Sequence, residues 1–156
     1  MEYDELIRAF AEKHGIDGME ILDGAAALDV DGMRIAFLHD ESARALVLLG
    51  DIGAPPPEGE SRFDAILMQA NYLFRGSDGA TFTQNPETKD YALVHSLPLA
   101  LIDASSLADA VETFANTLER WRRVLADFRP SGETQASAPA SAGEFTPLGT
   151  SGFLAV

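Results

Sequence analysis

Hydrophobic positions recur along this chain with two different periods, and each change of period marks a new element. Tyr3, Leu6, Ile7 and Phe10 share one face at helical spacing, and Gly15 follows as a natural stop. A helix is therefore predicted over about 3–14. Leu28 and Val30 alternate into Asp31-Gly32, a dipeptide suited to the left-handed positions of a two-residue hairpin turn. The returning strand covers 34–38 and carries Ile35 and Phe37. A polar turn over 39–42 leads to a third strand over 44–52. Leu46 and Leu48 lie on one of its faces and Val47 and Leu49 on the other, so it is predicted to be central or covered.

Pro55-Pro56-Pro57 cannot join a hydrogen-bonded ladder and ends this meander. Ser61 and Asp64 have the spacing of a capping box, predicting a helix that runs to about Phe74 and stops at Gly76 and Gly79. Its apolar set is Phe63, Ile66, Leu67, Ala70, Leu73 and Phe74. A short strand over 80–83, a turn at Asn85-Pro86-Glu87-Thr88 and a strand over 91–97 follow. From 103–106 to about 127, Leu107, Val111, Phe114, Leu118, Trp121 and Leu125 form one helical stripe. The order α-β-β-β-α-β-β-α predicts an α+β fold, an antiparallel sheet with three helices.

Composition changes after Pro130. Apart from Pro139, residues 131–143 contain nothing apolar larger than alanine and are predicted to be flexible. Phe145, Leu148, Phe153, Leu154 and Val156 then return, either as a frayed end or as a segment that docks on an apolar surface. The expected division is a folded domain over 1–129 and a tail over 130–156.

Charge narrows the partners. Against 11 basic residues stand 25 acidic ones, a formal net charge of -14 that argues against nucleic acid and anionic membrane. Arg120-Trp121-Arg122-Arg123 does not reverse this, because Trp121 belongs to the apolar stripe. With no cysteine there is no thiol chemistry and no disulfide. No apolar run reaches the roughly 18 residues a membrane span needs. The acidic start Met-Glu-Tyr-Asp-Glu lacks the basic opening of a signal peptide, so the cytoplasm is the expected location. His14, His39 and His95 have no metal-ligand spacing. His39, Asp40, Asp51 and His95 make a polar site only if the fold gathers them. No catalytic residue and no cofactor is expected.

One stretch is more specific. Leu67-Met68-Gln69-Ala70-Asn71-Tyr72-Leu73-Phe74 is followed by Gly79-Ala80-Thr81-Phe82-Thr83, and then by a strand from Tyr91 ending Leu97-Pro98-Leu99. This series, with the first helix, the Asp31-Gly32 hairpin and the last helix, resembles the acidic type III secretion chaperones of the Tir-chaperone (CesT and SycE) family. The resemblance covers about residues 2–127. It implies a bacterial, non-enzymatic homodimer that binds an extended segment of a secreted effector, or one that sequesters a regulator of secretion genes. It also implies a dimer interface near Ile66, Ala70 and Leu73. Client contacts are then expected among Leu6, Phe10, Leu28, Ile35, Phe37 and Val47, of which Phe10 and Val47 suit a core better.

Overall fold

The computed structural model describes residues 1–130, and the order of elements in them is the predicted one. Helix α1 is Tyr3–His14. Glu2 and Glu5 close a capping box at its start, and Gly15 ends it in the left-handed region at φ 62. Strands β1 (Ala25–Val30) and β2 (Met33–Asp40) meet through Asp31 and Gly32, both left-handed at φ 49 and 78. Strand β3 is Ala45–Gly53. Helix α2 (Glu60–Asn71) runs into a 3-10 turn over Tyr72–Phe74. Strands β4 (Thr81–Gln84) and β5 (Tyr91–Pro98) precede a second 3-10 turn, Leu99–Leu101. Helix α3, Ala104–Asp127, opens on a capping box between Asp103 and Ser106.

The sheet is antiparallel throughout, in the order β1-β2-β3-β5-β4, so the strand that is apolar on both faces is central. One face carries the helices. Tyr3 of α1 donates its hydroxyl to the Phe37 carbonyl at 2.7 Å, and the Phe10 and Phe37 rings lie 5.9 Å apart. Gly50 lets α3 come down on β3, since a Cβ there would stand 2.5 Å from Leu118 Cδ2 and 3.2 Å from Phe114. Phe63 of α2 packs on Tyr91 and Phe128, and Phe82 of β4 packs on Trp121.

Three local expectations are corrected. Ser61 does not cap α2: the helix begins at Glu60 after Gly59, which is left-handed at φ 78 and offers no side chain. The helix also ends at Asn71 rather than near Phe74, because Leu73 and Phe74 turn into the left-handed region at φ 53 and 56. His39 lies within β2 instead of in a turn. Apart from Pro130, the expected tail over 130–156, flexible and apolar at its end, lies outside the described residues.

Candidate interaction surface

The two faces of the sheet differ. On the helix side, Ile35, Phe37, Leu46, Leu48 and Leu93 are all 0% exposed. On the other side the strand registers build two cross-strand rows. One runs Ala27, Ala36, Leu49, Val94 and Thr81, and the next runs Ala25, Leu38, Val47 and Ser96. None of these side chains joins the core cluster, and Leu38, Val47, Leu49 and Val94 remain half-buried. A hollow of about 520 Å³ lies at one end of the rows, where Leu38 and Val47 meet Asp23, Asp40 and Glu41. The Ala43 N–H and the Ser42 hydroxyl hold the Asp40 carboxyl below its usual range, so it stays charged at the rim.

The edges differ as well. Beyond β4, the side-chain amide of Asn71 acts like a residue of a sixth strand. Its Nδ2 donates to the Phe82 carbonyl at 3.2 Å, and its Oδ1 accepts the Phe82 N–H at 2.8 Å. This satisfies the outward backbone groups of Phe82 on the free edge. The outer edge of β1 pairs with Leu22 only through Ala25, and no other described strand lies along it. Because Gly24 accepts from the His39 N–H, the alternation of antiparallel pairs turns the backbone groups of Ala27 and Asp29 outward.

A third apolar area surrounds the end of α2. Met68 is 71% exposed, Tyr72 70%, Leu73 62% and Phe74 55%. Ile66 and Ala70, beside them, are half-buried against the core. The following loop is tied to α3. Trp121 Nε1 donates to the Gly76 carbonyl at 2.8 Å, while Asp78 accepts from Thr117 at 2.6 Å and from Arg120 at 2.8 Å. The Thr117 hydroxyl first, and Arg120 beside it, lower the Asp78 carboxyl below its usual range.

Among the residues expected to touch a client, Val47 lies on the bare face. Leu28 is half-buried at the edge of the helix side, packed on the core. Leu6 and Phe10, on the inner side of α1, are 0% and 3% exposed, and Ile35 and Phe37, beneath the helices, are both 0% exposed. In the single chain they shape the sheet and offer no docking surface. Leu38, Leu49 and Val94 were not among the contacts expected from the sequence. Their signal was the alternation itself, apolar on both sides of consecutive paired strands.

The titratable groups do not gather. His39 and His95 face the helix side from strands separated by β3, roughly 10 Å apart across the sheet. Asp40 and Asp51 face the other side. His39 stacks on Tyr3 with ring centroids 4.9 Å apart. Burial lowers the His95 imidazole and, with Asp4 nearby, pushes the Tyr3 phenol up to about 12. Among the described residues no group of three or more His, Asp or Glu is placed to hold a metal ion.

Among the described residues the sheet is closed by helices on one face, bare on the other and open along the β1 edge. Residues 5–122 match the Tir chaperone protein (CesT) family, and the chain belongs to that family. It is therefore a chaperone, in a non-catalytic class.

Solved structures show the same fold. The HopA1–SchA chaperone–effector complex is 15% identical with a TM-score of 0.65, covering 78% of this chain and 93% of the other. The ExsC–ExsE complex is 21% identical with a TM-score of 0.63, covering 80% and 97%. The Yersinia pestis type III secretion chaperone SycH, in complex with a stable fragment of YscM2, is 16% identical with a TM-score of 0.61, covering 76% and 98%. Comparison with curated proteins yields no match.

Proposed function

We propose that this chaperone holds an extended segment of a type III secretion effector along the open edge of β1 and across the bare face. The segment is thereby kept unfolded for export. The observation that carries the reading is the unequal sheet, apolar on a face that no described helix covers. A client strand gains backbone hydrogen bonds at Ala27 and Asp29. Burial of apolar side chains on Leu38, Val47, Leu49 and Val94 offsets its ordering entropy. Family membership and the likeness to chaperone complexes support the reading. Leu28 and Val47 remain client contacts in it, and the core residues Leu6, Phe10, Ile35 and Phe37 act by holding the strands in register.

The protein acts as a homodimer in this reading, joined through the end of α2. Leu73 is the central contact with Met68, Tyr72 and Phe74, and Ile66 and Ala70 flank it. An exposed cluster of four large apolar side chains is the support for that interface. The site of action is the bacterial cytoplasm, where effectors wait for export, and neither nucleic acid nor membrane takes part.

Co-expression with the secreted protein encoded beside its gene, then co-purification and hydrogen exchange, tests the reading. A complex with protection at 27–29 and along 36–38 and 47–49 is expected. No complex, where a control chaperone captures its own effector, rejects it. A partner that controls secretion genes instead makes the protein the regulatory form. Light scattering tests the dimer, expected at twice the 16.7 kDa chain mass.

A further inference from the structure

A second hollow, of about 400 Å³, opens where α1, α3 and the β1–β2 turn meet. Its floor is apolar and nearly closed: Phe10 is 3% exposed, and Met33, Val111 and Ala115 are 6% exposed. Ala108 and Ala115 flank Val111 of the main apolar stripe at three and four residues on α3, and the two alanines leave the space a larger side chain would fill. The rim has the opposite character. Asp31, Glu112 and Glu119 stand around it, with His14, and no lysine or arginine lines it. Glu119 is shared with Arg123 one turn on, while Asp31 and Glu112 have no ion-pair partner among the described residues. Lys13 is turned away to Ser105, and Arg34 lies against Asp29.

We propose that this hollow takes a lysine or arginine side chain of the polypeptide held along β1. The inference rests on the reading that a client lies on that edge, and it adds the chemistry of one client position. A long basic side chain fits both halves of the hollow. Its methylene stem covers the apolar floor, and its charged head stays at the rim between carboxylates. A glutamate or aspartate is rejected by charge, and an aliphatic side chain leaves the acidic rim unused. Val30 links the hollow to the end of β1, so a strand on that edge delivers its side chain there without a turn.

The probes are two acetylated hexapeptides of alternating valine and threonine, one with a single arginine and the other with glutamine in its place. Each is titrated into the 15N-labelled full chain. Only the arginine peptide is expected to shift the amides of His14, Met33, Glu112 and Ala115, while both shift Ala27 and Asp29. The combined variant Asp31→Asn, Glu112→Gln alters two exposed side chains. It is expected to weaken the arginine peptide about tenfold and leave the glutamine peptide unchanged. Equal effects of both peptides at the hollow overturn the basic-residue assignment. Shifts confined to β1 overturn the pocket while leaving the edge reading intact. No shift with either peptide overturns the pocket and tells against the edge as well.

Discussion

Leu48 and Val47 are neighbours in one strand with different surroundings. Leu48 is 0% exposed between Phe37 and His95, under the helices. Val47 is half-buried between Leu38 and Ser96, where no described helix reaches. An apolar side chain in this sheet is buried or left open according to its face, and hydrophobicity alone does not decide which. Leu48→Ala is expected to cost about 2–5 kcal/mol in urea denaturation, the usual loss for a truncated core leucine. Val47→Asp is expected to change stability by less than about 1 kcal/mol and to abolish capture of the secreted neighbour. A large stability loss from Val47→Asp, with binding kept by the refolded fraction, removes the contrast.

The two edges sharpen the same point. Asn71→Ala takes away both bonds to Phe82 and is expected to cost about 1–3 kcal/mol and to promote aggregation through the uncovered β4 edge. Thermal melts with light scattering read both effects. Leu73→Asp is expected to split the dimer with the circular dichroism of the fold retained, since Leu73 is exposed in the single chain. A monomeric wild type under dilution removes that interface from consideration.

The smallest expected effect is in pH. Burial lowers the folded pKa of His95 below the ordinary 6.5, so the unfolded chain binds its proton first as pH falls. Stability is then lost between 6.5 and the folded value, and His95→Gln should remove that part of the slope in melts across that window. Asp78 acts in a lower window. Its depressed carboxyl stabilises the fold above the ordinary 3.8, and that contribution disappears as pH falls through the folded value.

Elements with local signals were legible in the sequence. Gly15, Asp31-Gly32 and Asp103 each carry their own turn or cap chemistry, and α1, the hairpin and α3 lie where those residues predict. The ends of α2 were not legible. Its start is the left-handed Gly59 and not the better-looking Ser61, and its stop needs two large residues in a region that side chains rarely enter. The candidate surface was only half legible. Alternation identified both faces of the strands, but which one α1 and α3 cover is a tertiary choice. Hence Ile35 and Phe37, the most apolar side of the hairpin, are core, and the plainer Leu38 and Val47 are left outside.

The amide of Asn71 bears on how many strands one molecule can accept. Chains with two open edges can link end to end without limit, and that is how sheets grow into fibres. With Phe82 on the β4 side bonded by a side chain of the same molecule, strand addition is favoured at β1 over β4. A second copy that paired with β1 would close the site and end the series at two. A chaperone of this family can in this way leave one sheet edge open at high concentration with less risk of seeding its own polymer.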